Sequence, residues 1–199
     1  MQDFRGYIIE GLRKFIKLFN VIFFTRTHYL KCYLFNIKIG KKCSFFGKTL
    51  LVRRHESKII IGDNVCFRSS TIYNQFGLMR RNSICTLKKE ALIRIGSNVG
   101  LSGCAISSYK KIVIEDNVLI GANVTISDFD WHGIEDRDEP SFKEIKIERN
   151  SWIGANSIIL KGIIIGENSI IGAGSIVTKN IPPNCIAGGN PCKVIRYLK

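Results

Sequence analysis

The chain has 199 residues, 45% of them apolar and 23% charged, with a formal net charge of +14. That length suits one domain with an appendage, and the composition supports a packed core and excludes wholesale disorder. The charge is uneven: residues 1–60 hold 13 Lys/Arg against 3 Asp/Glu, and residues 61–199 hold 17 against 13. A basic first third attracts anions, but no aromatic–basic motif directs it to nucleic acid.

Residues 4–24 read as a helix, because Phe4, Ile8, Leu12, Phe15, Phe19, Ile22 and Phe23 follow 3–4 spacing with Arg5, Arg13, Lys14 and Lys17 between them. Residues 1–36 are assigned to this amphipathic helical segment. Two roles stay open for it. It can cap the open end of the repeat structure that follows, or residues 1–30 can lie against an anionic membrane surface. The stretch from Leu18 to Phe24 is interrupted by Asn20 and has no small-residue cleavage site. It is also shorter than the ~20 residues that cross a bilayer. The expected location is therefore cytoplasmic, with peripheral contact at the inner face of the cell membrane as an open addition.

An aliphatic repeat starts weakly at Ile39-Gly40 and is clear at Ile61-Gly62-Asp63-Asn64-Val65, Ile95-Gly96-Ser97-Asn98-Val99 and Ile114-Glu115-Asp116-Asn117-Val118. From Ile147 it is strict: Ile147, Ile153, Ile159, Ile165, Ile171 and Val177, with Ser151, Ser157, Ser169 and Ser175 as small residues between. A period of six belongs to neither a helix nor a single strand. It marks an all-β solenoid of hexapeptide repeats. Three hexads close one triangular coil, and Ile153 to Ile171 is one such coil. Gly, Asn and Asp at the turns tolerate positive φ.

Three places break the register. Ile95 to Ile114 is one position longer than a coil, which predicts a small bulge at Tyr109-Lys110-Lys111. Ile126 to Ile147 exceeds a coil by three positions, which reads as a short insertion and places a loop at 127–146. Residues 73–90 are irregular, with room for a distorted coil. Excursions from a rigid scaffold are where function is usually placed. The seven cysteines are odd in number and form no CxxC pair. They read as free thiols of a reducing compartment, mostly core fillers.

His132, in Ser127-Asp128-Phe129-Asp130-Trp131-His132-Gly133, is the candidate general base. In an extended segment Asp130 projects to the same side and can hold one imidazole nitrogen, leaving the other free to take a proton. Asp128 is the next candidate for that task, although a solvated acidic loop suits it better. A metal site is not expected, since zinc needs three convergent ligands. His28 lies in the N-terminal segment, and His55 is several coils from His132.

The repeat, the Asp-Phe-Asp-Trp-His-Gly loop, Ser151-Trp152-Ile153-Gly154-Ala155-Asn156, and the run from Ile171-Gly172-Ala173-Gly174-Ser175 through Thr178-Lys179-Asn180-Ile181-Pro182 to Gly188-Gly189-Asn190-Pro191-Cys192-Lys193-Val194-Ile195-Arg196 resemble the hexapeptide-repeat acyltransferases. Within them the chain is similar to sugar O-acetyltransferases, of the galactoside and maltose type and of the capsule and lipopolysaccharide type. The likeness covers about residues 58–196. It implies a left-handed parallel β-helix over 37–185, a homotrimer, and acetyl-CoA as co-substrate in the groove between subunits. It implies a C-terminal tail, 186–199, that contacts CoA. Position by position it implies His132 as catalytic base with Asp130 as its acid partner, and Trp152 beside the thioester. Ala155 and Ala173 fall along the pantetheine arm, Thr178 and Lys179 near the adenosine end, and Lys193 and Arg196 near the phosphates. At Lys193 several relatives carry Arg, and a Lys offers a point charge in place of a bidentate fork.

The implied acceptor is a saccharide hydroxyl, with a lipid-linked or anionic intermediate of surface-polysaccharide synthesis as the expected carrier. Two alternatives remain at this point: N-acetylation of a nucleotide-linked amino sugar, and a non-catalytic solenoid that serves as a binding or assembly module.

Overall fold

The computed structural model describes residues 4–74, 76–132 and 141–198, with side chains from Ile8 onward. Among these residues the chain winds a left-handed parallel β-helix with three faces, preceded by one helix, Phe4–Leu34. The first face stacks Lys38–Ile39, Lys58–Ile61, Leu92–Ile95, Lys111–Ile114, Ile145–Ile147 and Ile164–Ile165. The second stacks Ser44–Phe46, Cys66–Arg68, Gly100–Ser102, Leu119–Ala122, Trp152–Ile153, Ile170–Ile171 and Cys185–Gly188, and Lys193–Tyr197 returns antiparallel along its edge. The third stacks Leu50–Val52, Ser83–Thr86, Ala105–Ser108, Thr125–Ser127, Ile158–Ile159 and Ile176–Val177. The strand Cys185–Gly188 runs across the expected boundary at 185/186, so the solenoid continues into the expected tail.

The six-residue period is a packing requirement. Ile147, Ile153, Ile159, Ile165, Ile171 and Val177 all point inward and are fully buried. Burying such a side chain contributes about 1.5–3 kcal/mol. Ile147 pairs with Ile165 and Ile153 with Ile171, each partner one full coil further along. The serines of the repeat are buried at the corners, where Ser151 Oγ donates to Glu148 O at 2.7 Å and Ser175 Oγ to Gly172 O at 2.6 Å. Only a small side chain fits there, and its hydroxyl satisfies a turn carbonyl.

Positive φ at the corners falls mainly on asparagine. Asn64, Asn98, Asn117, Asn150, Asn168 and Asn184, with φ between 55° and 60°, line the corner between the first and second faces. Each side-chain amide donates to the next, over 2.8–3.1 Å, in one column. The glycines of the Ile-Gly pairs have a different role from the one the sequence suggested. Gly62 and Gly154 are outside the positive-φ group. A Cβ on Gly154 would lie 2.5 Å from Ala173 N, and one on Gly62 would lie 2.7 Å from the Gly96 carbonyl carbon. They are glycine because the next coil's backbone passes too close for any side chain.

Two of the register readings change once faces are compared. Ile126 lies on the third face and Ile147 on the first, so their separation does not measure an insertion. The register partner of Ile147 on its own face is Ile114, one coil before it, as Ile165 is one coil after. Measured between those partners, the excursion is nearly a whole coil long and not the short insertion expected. Residues 73–90 do not form an extra coil either. The excursion occupies 69–82, and Ser83–Thr86 rejoins the third face in register with Leu50–Val52.

The helix also runs well past the end that its aliphatic spacing suggested, to Leu34 in place of Phe24. Its last third docks on the first coil through His28 and Cys32, both buried, with Phe24 and Tyr29 beside them. The His28 ring stacks on Phe45 at 4.3 Å, and Phe45 stacks on Phe67 at 4.5 Å. As the neutral ring, His28 donates from Nδ1 to Phe24 O at 2.6 Å and accepts at Nε2 from Thr49 N at 3.1 Å. Burial pushes its pKa below the usual 6.5. A protonated ring can donate from Nε2 to Thr49 O at 3.0 Å, but that bond does not make up for the burial. The unfolded chain therefore takes up this proton first, so the contribution is whole above pH 6.5 and falls as pH drops below it. Hydrogen exchange of the 24–34 amides, corrected for intrinsic rate, should rise below pH 6.5 while the middle coils stay protected. Equal protection on both sides of that pH would contradict the assignment.

Six of the seven cysteines are buried and all seven are free thiols. Burial pushes Cys104 up to about 12, which leaves it an inert core filler.

Candidate active site

The His132 excursion leaves the third face after Ser127 and re-enters the first face at Ile145. Its base is closed by antiparallel pairing. Asp130 N donates to Ser141 O at 3.0 Å, Lys143 N donates to Asp128 O at 2.8 Å, and Phe129 bridges Phe142. Trp131 and His132 are exposed at the end of the described segment. Residues 133–140 of the expected 127–146 loop, Gly133 of the motif among them, lie outside the described residues.

Asp128 is not a solvated loop residue. It is fully buried, and its carboxylate accepts from Ser108 Oγ at 2.7 Å and from the backbone N–H groups of Tyr109, Lys110 and Lys111 at 2.7–2.9 Å. The turn expected to bulge at Tyr109-Lys110-Lys111 is thus wrapped around this carboxylate. Asp130 also departs from expectation. Its carboxylate is paired with the Lys161 ammonium and accepts from Ser141 Oγ at 3.1 Å. Among the described residues no hydrogen bond joins it to His132. Lys161 follows the strand Ile158–Ile159, one coil on and 31 residues away in sequence, so no local pattern announces it.

Aromatic rings fill the base of the loop. Tyr109 stacks on Phe129 at 3.8 Å, and Trp131 meets Phe129 edge-on at 4.9 Å. The Lys88 ammonium sits 5.1 Å from the centre of the Tyr109 ring and 4.8 Å from that of Phe142. These contacts fix the backbone just before His132.

A second feature lies on the second face. A groove of about 440 Å³ is lined by Trp152, Ala155 and Ala173, with Gly121, Gly154 and Gly172 between them. The glycines give it a narrow floor of backbone, and the half-exposed Trp152 forms one wall. Asn74 and Phe76, from the 69–82 excursion, form another. That excursion is held along the corner by Arg80 Nη2, which donates to Asn123 O at 2.7 Å and Thr125 Oγ1 at 2.6 Å, and by Met79 N, which donates to Asn123 Oδ1 at 2.9 Å. The sequence marked this stretch as irregular but held no sign that it walls the groove.

Three candidate residues, Trp152, Ala155 and Ala173, therefore meet in one groove. Lys193 and Arg196 are exposed on the antiparallel strand at the edge of the same face. Thr178 and Lys179 are exposed just after Ile176–Val177 on the third face, outside the groove's lining. His132 belongs to the corner between the third and first faces, across the triangle from the groove. Among the described residues no group of three or more His, Cys, Asp or Glu is arranged to hold a metal ion.

Residues 111–135 and 144–179 match the family model described as the hexapeptide repeat of succinyl-transferase. The galactoside O-acetyltransferase of Escherichia coli K12 is 36% identical over 162 residues, 76% of this chain and 77% of that protein. Among solved structures, a hexapeptide-repeat acetyltransferase of Vibrio cholerae in complex with acetyl-CoA is 25% identical with a TM-score of 0.50, covering 88% of this chain and 78% of that one. AntD, an N-acyltransferase of Bacillus cereus in complex with dTDP and 3-hydroxybutyryl-CoA, reaches a TM-score of 0.64 at 19% identity, covering 87% and 88%. That last likeness is one of fold.

Proposed function

We propose that this chain, which belongs to the hexapeptide-repeat sugar O-acetyltransferases, is an acyltransferase that moves an acetyl group from acetyl-CoA to a saccharide hydroxyl at a site shared by two subunits. The observation that carries this reading is the groove of Trp152, Ala155 and Ala173, narrow, floored by backbone and apolar. A pantetheine arm is long, thin and mostly apolar, and fits such a floor. Lys193 and Arg196, on the edge of the same face, would meet its phosphates; Thr178 and Lys179 are assigned to the adenosine end.

The placement of His132 supports the trimer. One chain holds its groove on the second face and its base at the opposite corner, so the two halves of the chemistry join only when a neighbour's corner meets the groove. In the proposed step the imidazole of His132 takes the proton of the acceptor hydroxyl. The oxygen attacks the thioester carbonyl, the C–S bond breaks, and the imidazolium returns its proton to the thiolate. Asp130 acts here as a positioning residue: bound to Lys161 and Ser141, it fixes the loop from which His132 projects.

The acceptor is proposed to be an intermediate of surface-polysaccharide synthesis, met at the inner face of the cell membrane, where the basic first third of the chain would face anionic groups. O-acetylation is favoured over N-acetylation because the galactoside O-acetyltransferase is 36% identical over most of both chains, whereas the N-acyltransferase AntD shares the fold at 19% identity. Incubation with acetyl-CoA and a thiol reagent tests the reading directly. Free CoA should appear only when a sugar is added, and the sugar should gain one acetyl group by mass. Thiol release that is indifferent to every sugar, from free monosaccharides to lipid-linked oligosaccharides, would overturn it.

A further inference from the structure

The N-terminal helix is amphipathic in a direction that packing does not use. Its docked side is set by His28 and Cys32. Arg26 and Leu30 lie two positions from these residues, and positions two apart on a helix point about 200° from one another. The outer side thus runs through Ile8, Leu12, Phe15, Phe19, Ile22, Arg26, Leu30 and Tyr33 at 3–4 spacing. Every apolar member of that row is at least 45% exposed, and Phe15 reaches 68%. A continuous apolar stripe of this length marks an interaction surface. Among the described residues no helix is long and apolar enough to cross a membrane.

We propose that this outer face lies in the plane of an anionic lipid bilayer and anchors the enzyme to it. Charge selects that occupant. The helix carries Arg5, Arg13, Lys14, Lys17, Arg26 and Lys31 against the single acid Glu10, which is paired with Lys14. Arg26 stands inside the apolar row. In a seam between two copies of this row its guanidinium would be buried with no acid to pair with, whereas at a headgroup layer it reaches phosphate while its stem stays among the acyl chains. Apolar burial together with basic attraction is the physics of an interfacial helix. The inference rests on the helix alone and stands apart from the catalytic reading.

The test uses the full chain, with sedimentation on phosphatidylcholine vesicles that contain phosphatidylglycerol and on vesicles of phosphatidylcholine alone. The protein should pellet with the anionic vesicles and release as salt rises. The double variant Phe15→Ser/Phe19→Ser should weaken binding more than about tenfold. Its elution volume and its acetyl transfer to a soluble sugar should not change. Arg26→Gln, inside the outer row, should weaken binding about fivefold. The proposal is overturned if the parent protein pellets with neither vesicle, or if the Phe15/Phe19 variant pellets as the parent does. It is also overturned if that variant lowers the oligomeric size without lipid, since the face would then belong to a second copy.

Discussion

Replacement of His132 by alanine will lower acetyl transfer by about 10²–10⁴-fold, the usual contribution of a positioned general base. Oligomeric size and CoA affinity should stay as they are, because the imidazole is exposed and holds no part of the core. Steady-state rates beside a CoA-binding titration check both halves, and full activity in His132→Ala would sink the assignment. The variant also tests the shared site. Trp152→Ala should lose activity through the groove on the second face. When His132→Ala and Trp152→Ala chains are refolded together, activity should return in part, because an intact base can then meet an intact groove across an interface. A site contained within one chain would stay inactive in the mixture.

Asp128→Ala should be the most damaging change outside the hydrophobic interior. The carboxylate is fully buried and takes four donors, three of them backbone N–H groups of one turn. Each donor left without a partner costs about 1–3 kcal/mol, partly relieved where water enters. A loss of about 3–5 kcal/mol is expected. For a chain of this size that is a fall in Tm on the order of 10 °C. Asp128→Asn should also destabilise, since half of the amide presents hydrogens to the turn's own donors. Ser108→Ala removes one bond and should cost about 1 kcal/mol. Activity should fall along with stability in Asp128→Ala, because the same residue anchors the base of the His132 loop. A melting temperature equal to that of the parent would refute the role.

The contrast between these two residues shows what the sequence made legible. The inward isoleucines were readable because a coil of three short strands imposes one period on every face. His132 stood out because its loop breaks that period. Asp128 did not, because its partners are backbone amides of the preceding coil, and backbone donors leave no mark on composition. Asp130 reads as an extended neighbour of His132, but its cation comes from the next coil, at Lys161. The end of the helix is hidden for a related reason: its docked face is built from His28, Tyr29 and Cys32, so the aliphatic pattern fades where the packing is tightest. The length of the loop is hidden because Ile126 and Ile147 belong to different faces, and only residues a coil apart on one face measure an insertion.

The column of asparagines has a consequence for how such a scaffold can diversify. Each amide grips the one above it, so the corner between the first and second faces is stitched from coil to coil. Extra residues there would cut the stitch and hand its amides to water. Among the described residues the second–third corner carries a single such link, Asn123 to Asn156 at 3.3 Å, and the third–first corner carries none. Both long excursions leave from them, 69–82 from the second–third corner and the His132 loop from the third–first. New specificities can therefore be grafted onto two edges of the prism, while the third edge keeps the coils in register.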